Sequence, residues 1–418
     1  MKILMITRAL FARSAAETAM FCLAGALERM GHEVSYFAQD HRRNENVPGA
    51  YVVTRPAPGS ESRLRAIRRR IYDPEVGDCL MDRIKHDRPS LALVWSVNRS
   101  LTYATVATLH EAAIPTWVML TDYTPLCPAR TMVRSHRSRL LELLHIQKAG
   151  EHFCSRCAKG QFLPCLMHRC LEDKLLPSFI GMRENAFLRR RGLYDLASGF
   201  LAPSEYHRQR FEQSRFTDRP IHAVELPLPE SAFAPAEVKR GPFFLFVGSL
   251  AERKGLRTLL HALKRCVNEI PLVIAGGGPF KHELQELADE LGVTHRLRMT
   301  GHLSAQSVRQ TMSECLCLIV PSECEEIAPW ALLEAQALGK PAIVSDFGVL
   351  PERVEAGETG YVFPAGKEVA LAQRMDDMAF LSDEAYDEMS RTAAEHARDR
   401  YHPDAYARRI LTTVRRAP

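Results

Sequence analysis

The stretch Leu316–Ser345, LCLIVPSECEEIAPWALLEAQALGKPAIVS, contains an apolar run, a polar loop, a helical segment and a second apolar run. The runs Leu316–Val320 and Ala342–Ser345 predict buried strands, and the segment between Pro329 and Gly339 predicts the helix that connects them. Strand, helix and strand in this order form the unit from which parallel α/β sheets are built. The stretch therefore predicts an α/β fold.

The same alternation extends along most of the chain. The other apolar runs that predict strands are Met1–Thr7, Glu33–Phe37, Leu91–Trp95, Thr116–Leu120, Gly199–Ala202, Phe243–Val247, Leu272–Ala275 and Arg296–Met299. The segment Leu226–Gly241 is rich in Pro and Ala, has no periodicity, and predicts a linker. We therefore expect two doubly wound, Rossmann-like domains, residues 1–230 and 231–400, with a ligand site in the cleft between them. Residues 401–418 predict a C-terminal helix that either extends the second domain or returns to the first.

Length and composition limit the class of protein. The chain has 418 residues, 46% of them hydrophobic, which is enough for two packed domains. It has no uncharged apolar run of about 18 residues, so the sequence predicts no membrane-spanning helix. The N-terminal MKILMITRAL is too short and polar for a secretory signal. The expected location is therefore the cytoplasm.

Charge is distributed unevenly. The net charge is +5, but residues 1–235 carry 33 Lys+Arg against 24 Asp+Glu, and the remainder carries 22 against 26. The basic runs Arg63–Arg70 and Arg189–Arg191 indicate either a solvated arginine-rich face or a surface for anionic lipid at the inner face of a membrane. Nucleic acid is not expected, because no aromatic residues interleave with these runs.

The helix after Glu325 lacks a capping side chain. With Pro329 in the first turn, the cap position falls on Ala328, which has no side-chain oxygen. The sequence therefore predicts that the amides near Trp330 and Ala331 have no local acceptor, which is typical of an anion site. Glu326 carries a negative charge and cannot bind an anion directly.

Three further side chains suggest which anion this would be. Lys254 ends the loop Gly248–Gly255 at a predicted helix start, where cations are unfavourable unless an anion is near. Glu326 and Glu334 lie on either side of the uncapped end and must accept hydrogen bonds from neutral donors such as sugar hydroxyls. A phosphate between two hydroxyl-bearing groups describes a nucleotide sugar. The alternative is a helix with two solvated glutamates and a surface lysine.

A glycine-rich loop, Gly276-Gly277-Gly278-Pro279, follows another predicted strand. Glycines allow a backbone to approach a ligand closely, but they also suit a tight turn. The loop does not fit the dinucleotide fingerprint, so both readings stay open.

The chain has eleven cysteines, and an odd number without a signal sequence argues against a disulfide framework. Five fall between Cys127 and Cys170, in what we interpret as an insertion at residues 125–175. Cys154 and Cys157 form a C-x-x-C pair that, with two further thiolates, predicts a structural zinc site. His152 and His168 are alternative ligands, and a group of free thiols is the competing reading.

At this point the motifs resemble those of a known family. They are Pro321-Ser322, Glu326, Pro329, Glu334-Ala335, Gly339-Lys340-Pro341, Gly348-x-x-Pro351-Glu352, Thr300-Gly301 and Thr359-Gly360, together with the loops around Gly248–Gly255 and Gly276–Gly278. This set resembles the signature of family 4 glycosyltransferases, which are retaining enzymes of the GT-B fold. The resemblance covers nearly all of the second domain and is weaker in the first.

The resemblance implies roles for individual residues. Lys254 and the amides after Glu326 would hold the donor diphosphate, Glu326 would contact the transferred sugar, and Glu334 would bind the ribose. The other donor-binding residues would be Ser249, Arg253, Gly277, Gly278, Ile327, Ala328 and Trp330. Asp122 would be a second catalytic residue, and no catalytic cofactor is implied. The zinc ligands would be Cys127, Cys154, Cys157 and Cys170, with Cys165 outside the set.

The sequence departs from the family pattern at three places, two in the first, acceptor-side domain and one in the phosphate-binding loop of the second domain. Ser14-Ala15-Ala16-Glu17 replaces Gly-Gly-x-Glu, and Thr121-Asp122 replaces His-Asp. Ser249 replaces an arginine, for which Arg253 could substitute. We expect a retaining glycosyltransferase that moves a sugar from a nucleoside diphosphate to a glycan or lipid-linked hydroxyl. The alternatives are a non-catalytic nucleotide-sugar-binding relative and a zinc-stabilised interaction protein.

Overall fold

The computed structural model describes residues 1–12, 14–44, 47–53, 62–95, 101–130, 132, 154–234 and 239–416. These residues form two compact units. The first unit comprises the described residues up to Pro227 and those from Pro403 onward, and the second comprises the described residues of Leu228–His402. No helix in the described part of the chain is long and apolar enough to cross a lipid bilayer.

The first unit is built on a parallel sheet of seven strands. The strands are β1 (Lys2–Thr7), β2 (Glu33–Gln39), β3 (Ala50–Val53), β4 (Leu91–Val94), β5 (Thr116–Met119), β6 (Gly199–Ala202) and β7 (Ile221–Ala223). The helices are α1 (Ala15–Arg29), α2 (Arg63–Ile71), α3 (Pro74–Asp87), α4 (Ala104–Glu111), α5 (Leu163–Met167), α6 (Leu175–Arg190) and α7 (Glu205–Gln213). The spatial order β3-β2-β1-β4-β5-β6-β7 puts the first strand inside the sheet.

The second unit repeats this plan with six parallel strands. The strands are β8 (Phe244–Val247), β9 (Leu272–Ala275), β10 (Leu297–Gly301), β11 (Cys317–Val320), β12 (Ala342–Ser345) and β13 (Gly360–Phe363). The helices are α8 (Leu256–Arg265), α9 (Lys281–Leu291), α10 (Ala305–Ser313), α11 (Trp330–Ala337), α12 (Glu368–Ala379) and α13 (Asp383–Tyr401). The order is β10-β9-β8-β11-β12-β13.

Both sheets therefore have the doubly wound order that the alternation predicts. The chain moves outward from β8 to β10 on one side and from β11 to β13 on the other. The direction reverses between β8 and β11, and a crevice forms at such a reversal because the two following loops leave in opposite directions. The interior strands are buried because helices cover both faces, which explains their nearly continuous apolar sequences, whereas the edge strands β3, β7 and β10 are partly exposed.

The last helix, α14 (Pro403–Arg416), belongs to the first unit. Tyr406 and Ile410 on α14 are fully buried. Asp404 accepts a hydrogen bond of 2.6 Å from the guanidinium of Arg29 on α1. The sequence allows this helix either to extend the second domain or to return to the first, and in the structure it returns to the first unit.

Candidate functional site

The loops that follow β8 and β11 are neighbours, because these two strands pair directly. The first loop runs through Gly248–Gly255 and the second through Pro321–Pro329. Both leave the carboxyl ends of their strands, at the reversal of the sheet order. This is the position at which doubly wound sheets bind ligands.

The two loops pack closely against each other. Gly255 has φ +70°, and a Cβ there would lie 1.8 Å from the carbonyl oxygen of Pro321. The amide of Glu323 donates to the carbonyl of Arg253 at 2.9 Å. The Thr258 hydroxyl donates to the Glu323 carboxylate at 2.6 Å. These contacts fix the two loops relative to each other before any ligand binds.

Lys254 and Glu326 form an ion pair across the two loops. Their side chains are 19% and 15% exposed, so the pair is largely shielded from bulk solvent. The Ser322 hydroxyl donates to the same carboxylate oxygen of Glu326 at 2.7 Å. The sequence predicted both charged residues for one site but not that they would pair, and it gave Ser322 no separate role.

The N-terminus of α11 is uncapped, but it begins one residue later than predicted. Pro329 occupies the cap position, and no side chain caps the helix. The Trp330 amide donates to the carbonyl of Ala328 at 2.8 Å, which corrects the prediction that it lacks a local acceptor. Leu332 donates to the carbonyl of Pro329. Among the described residues, none accepts a hydrogen bond from the Ala331 amide.

Glu334 lies one helical turn after the start of α11, and the indole of Trp330 holds its carboxylate. The indole N–H donates to Oε1 of Glu334 at 3.1 Å. Burial raises the pKa of the Glu334 carboxyl, while this hydrogen bond and the charge of Arg309 act in the opposite direction. The sequence named both residues for the donor site but did not predict this contact.

The glycine loop after β9 is explained by packing. A Cβ on Gly276, which has φ +149°, would lie 1.8 Å from the Gly248 carbonyl oxygen. A Cβ on Gly278 would lie 2.3 Å from the Leu250 carbonyl oxygen, and one on Gly277 would overlap the ring of His302. Gly276 and Gly278 are therefore required for contact with the backbone of the neighbouring loop, whether or not a ligand is present, whereas the exposed His302 ring has room to move away from a side chain at position 277.

The other predicted donor-site residues lie on these same loops. Ser249 and Arg253 are exposed, and Ile327 and Ala328 are half-buried between Glu326 and the helix start. The structure therefore brings the predicted donor residues of the second unit to one end of its sheet. Their roles toward a donor stay predictions.

Asp122 lies in the first unit, just after β5, and takes part in a local turn. Its Oδ1 accepts a hydrogen bond from the Thr124 amide at 2.8 Å and another from the Thr124 hydroxyl. The preceding Thr121 donates weakly to the Trp95 carbonyl at 3.4 Å. These contacts give Asp122 a structural role, and its catalytic role stays a prediction.

The departure at Ser14 to Glu17 also has a local explanation. Ser14 caps α1 by accepting a hydrogen bond from the Ala16 amide, and its hydroxyl donates to the Glu17 carboxylate. A serine cap with an acidic residue three positions later stabilises a helix start. This stretch therefore forms a capped helix N-terminus.

The five cysteines from Cys127 to Cys170 lie near one another in the first unit. Cys157 and Cys165 are buried together with Phe162 and Leu171. Burial, with smaller contributions from Cys127 and Cys154, raises the pKa of the Cys157 thiol to about 12. All the cysteines that the structure describes are free of disulfides.

The described residues contain no group of three or more His, Cys, Asp or Glu side chains arranged to hold a metal ion. His152 lies outside the described residues, and the ring of His168 contacts the guanidinium of Arg156. Zinc at Cys127, Cys154, Cys157 and Cys170 therefore stays a prediction. Cys165, outside that set, points its thiol toward the carbonyl of Ser178 at 3.9 Å.

A protein-family model matches most of the second unit. Residues 229–400 match the family described as glycosyl transferases group 1. The putative colanic acid biosynthesis glycosyltransferase WcaL of Salmonella typhimurium is 24% identical over 216 residues, which is 50% of this chain and 50% of WcaL. The D-rhamnosyltransferase WbpZ of Pseudomonas aeruginosa is 35% identical over 140 residues, 33% of this chain and 36% of WbpZ. The alignments thus span half of these relatives or less.

Solved structures match the chain over nearly its whole length. A crystal structure of Anabaena HepE with UDP and glucose has a TM-score of 0.65 and 15% identity, and covers 99% of each chain. The apo form of the lipopolysaccharide outer core galactosyltransferase WaaB has a TM-score of 0.64 at 15% identity, again over 99% of each chain. At this identity the likeness shows the fold, which is GT-B, as the sequence predicts.

Proposed function

We propose that this chain, whose second unit carries a glycosyl transferases group 1 domain, is a retaining glycosyltransferase. It would move a sugar from a nucleoside diphosphate to a hydroxyl of a glycan or lipid-linked acceptor. The observation that carries the proposal is the arrangement around Lys254 and Glu326. A cation and a carboxylate meet at the sheet reversal, beside the uncapped start of α11.

The diphosphate would bind to Lys254 and to the start of α11. An ammonium has three N–H donors, so Lys254 can hold Glu326 and a phosphate oxygen together. The Ala331 amide and the positive end of the helix dipole would face the same phosphates. The two loops are already fixed by their mutual contacts, so little ordering should oppose binding.

Glu326 would accept a hydrogen bond from the sugar attached to the diphosphate. Ser322 holds one oxygen of its carboxylate, which fixes the orientation of the group. Positive charge develops at the anomeric carbon as the bond to phosphate breaks, and a fixed negative charge nearby stabilises that state. Retention at the anomeric carbon is part of the proposal and rests on the resemblance of the motifs.

The named relatives support the substrate class. HepE has been crystallised with UDP-glucose, and the matched proteins include a D-rhamnosyltransferase and an O-antigen chain mannosyltransferase. The names of the O-antigen chain mannosyltransferase and of the colanic acid biosynthesis glycosyltransferase WcaL describe sugar transfer in polysaccharide synthesis. We therefore include assembly of a cell-surface glycan in the proposal.

The proposal is tested by a thermal-shift screen of the full chain against UDP, GDP and ADP sugars. A ligand that binds only the folded state adds about 2.7 kcal/mol of stability at a concentration 100-fold above its Kd. We expect one nucleotide class to raise the melting temperature and the others to leave it unchanged. The absence of a shift with every nucleotide sugar, at concentrations that bind glycosyltransferases, would contradict the proposal.

Trp330→Phe should weaken recognition of the ribose while preserving the aromatic packing. The change removes the indole N–H that holds Glu334. The lost hydrogen bond lies within the protein, so affinity for the ribonucleoside diphosphate should fall by less than the roughly ten- to hundredfold expected from loss of a direct hydrogen bond to a charged group. The affinity for the matching 3′-deoxy nucleotide should change less, because it lacks one of the hydroxyls that Glu334 would bind.

The pH dependence of this variant provides a second readout. The indole hydrogen bond lowers the pKa of Glu334, so its removal should raise that pKa. As the pH is lowered, the affinity of Trp330→Phe should therefore decline at a higher pH than that of the wild type. Calorimetric titrations across the acidic range measure this, and coincident pH profiles would show that Trp330 does not position Glu334.

We also propose structural zinc at the cysteine insertion, supported by the C-x-x-C spacing and the shared location of the thiols. Cys154→Ser should lower the zinc content of the purified protein and destabilise the first unit, because it opens a four-thiolate site. Cys266→Ser, at a buried thiol of the second unit, is the control for thiol loss. Protein purified without chelators that contains no zinc by elemental analysis would refute the site.

A further inference from the structure

A stretch of the first unit exposes an unusual number of large apolar side chains. They are Leu163 (58% exposed), Met167 (71%), Leu175 (56%), Leu176 (60%) and Phe179 (44%). In the rest of the first unit's described residues, only Met1, Tyr51 and Val52 are comparably exposed. Scattered exposed apolar side chains are ordinary, but a contiguous group indicates an interaction surface.

These side chains belong to two helices that pack on each other. The thiol of Cys165 on α5 approaches the Ser178 carbonyl on α6, and the Ser178 hydroxyl accepts a hydrogen bond of 3.0 Å from the Leu171 amide. A Cβ on Gly181 would be in contact with the side chain of Leu171. The inner faces of both helices are therefore buried, and the exposed apolar side chains lie on the outer faces.

The outer face of α6 combines apolar and basic side chains. Leu176, Phe179, Arg183 and Arg190 follow one another at separations of three, four and seven residues, which is one face of a helix. All four are exposed. The face is apolar at its N-terminal half and cationic at its C-terminal half.

An open basic hollow of about 700 Å³ lies at the cationic end of α6. It is lined by Lys159, Gly160, Arg189, Arg190, Gln213, Ser214 and Arg215, a set with four cations and no carboxylate. The chain passes from Gly160 in this hollow directly into α5, and α6 returns from Leu175 to Arg190 beside it. The hollow and the apolar side chains are thus joined by both helices.

The segment that contains α5, α6 and part of the basic hollow, residues 154–191, carries a net positive charge. Residues 154–191 contain eight Lys+Arg and three Asp+Glu, and one of the acids, Glu184, is buried. The net charge of this segment is therefore +5, which equals that of the entire chain. Apolar side chains next to clustered cations match the chemistry of an anionic lipid surface, where acyl chains lie beneath negative head groups.

We propose that the outer faces of α5 and α6 with the basic hollow, the α5–α6 surface, dock this protein onto a bilayer that contains anionic lipid. The apolar side chains enter the boundary between head groups and acyl chains, and Lys159, Arg190 and Arg215 contact the head groups. The surface contains none of the residues assigned to the donor, so it does not depend on the proposed function. It would place the enzyme near a lipid-linked acceptor.

The other basic run is a weaker candidate for this contact. On α2, Arg65 donates to Glu75 at 3.1 Å, and Arg69 is paired with both Asp73 and Glu75. Local carboxylates thus neutralise part of this run. No large apolar side chain on the described part of α2 is exposed in the way that Leu176 is.

Cosedimentation of the full chain with vesicles tests the proposal. Wild-type protein should bind vesicles that contain phosphatidylglycerol, bind phosphatidylcholine vesicles much more weakly, and dissociate from the former as salt is raised. Leu176→Ser with Phe179→Ser should weaken binding by about tenfold or more, because apolar burial is lost. Lys159→Ser with Arg190→Ser should weaken it by roughly thirtyfold, since two cations near such a surface together contribute on the order of 2 kcal/mol.

Matched controls come from the second unit and from α2. Val369→Ser with Phe380→Ser removes two apolar side chains that are 61% and 67% exposed, and it should leave vesicle binding unchanged. Arg68→Ser with Arg70→Ser should have a smaller effect than the change at Lys159 and Arg190. Circular dichroism and melting temperature should match the wild type for every variant, because all the changed residues are at the surface.

Three results would overturn the proposal. One is equal binding to neutral and anionic vesicles, or to neither. A second is wild-type affinity in the Leu176→Ser, Phe179→Ser variant. The third is a wild-type dimer in sedimentation velocity that this same variant dissociates, because the surface would then be an interface between two copies of the chain.

Discussion

Glu326→Gln should reduce sugar transfer roughly ten- to hundredfold while leaving the affinity for the free nucleoside diphosphate no weaker than in the wild type. The substitution keeps the size of the side chain and an oxygen that can accept the Ser322 hydrogen bond. It removes the negative charge that would face the anomeric carbon as positive charge develops there. The loss should therefore appear in kcat, since the charge matters most in the transition state.

The ion pair of Glu326 with Lys254 sharpens this expectation. In the Glu326→Gln variant the ammonium of Lys254 loses its carboxylate partner and becomes more available to phosphate. Binding of the nucleoside diphosphate should therefore stay equal or strengthen. If Lys254 binds phosphate independently of Glu326, the Glu326→Gln variant should show no gain in affinity for the nucleoside diphosphate.

Two glutamates serve as controls for Glu326. Glu334→Gln should weaken nucleoside diphosphate binding, because ground and transition states lose the same ribose contact. Glu323→Gln should change neither property greatly, since its oxygen can still accept the Thr258 hydrogen bond. Turnover at saturating donor and calorimetric titration separate these outcomes. Loss of diphosphate affinity with full turnover in Glu326→Gln would show that the roles are assigned wrongly.

Lys254→Met should reduce the affinity for nucleoside diphosphates about ten- to hundredfold, because a charge-assisted hydrogen bond to phosphate is lost. The variant also leaves Glu326 without its cationic partner beside the phosphate site, so repulsion should add to the loss. Isothermal titration measures the change.

Lys264→Met is the matched control for this lysine. Lys264 is exposed in the last turn of α8, at the opposite end of the helix that begins beside Lys254. The Lys264→Met variant should bind nucleoside diphosphates with the affinity of the wild type. An equal loss in both variants would indicate a general charge effect, and unchanged affinity in Lys254→Met would remove this lysine from the donor site.

The strands were predictable because their apolar runs are short and bounded by polar or turn residues. Gly199–Ala202, Leu272–Ala275 and Ala342–Ser345 have the predicted bounds, and the other predicted strands differ by one or two residues at an end. The strands β3, β7 and β13 were not predicted. The return of α14 to the first unit was one of two alternatives. It depends on packing of Tyr406 and Ile410, which no local pattern specifies.

The sequence predicted which residues form the site better than it predicted how these residues contact one another. The start of α11 was placed one residue early, because Trp330 turns its amide back to Ala328, and a proline at the cap position was not considered. The Lys254–Glu326 pair follows from the pairing of β8 with β11, which is a property of the sheet. For the glycines after β9 the sequence allows two explanations, a ligand-binding loop and a tight turn. The close packing against the Gly248 and Leu250 carbonyls that explains them is visible only in the structure.

Turnover of a labelled nucleotide sugar is the most direct test of the proposed activity. Wild-type protein is incubated with the nucleotide sugar that raises its melting temperature, with and without lipid-linked or glycan acceptors, and release of nucleoside diphosphate is followed. We expect release by the wild type, stimulation by an acceptor, and a large reduction in Glu326→Gln. Tight donor binding with no release under any of these conditions, and no difference between wild type and Glu326→Gln, would contradict the proposed activity and favour the non-catalytic, nucleotide-sugar-binding alternative.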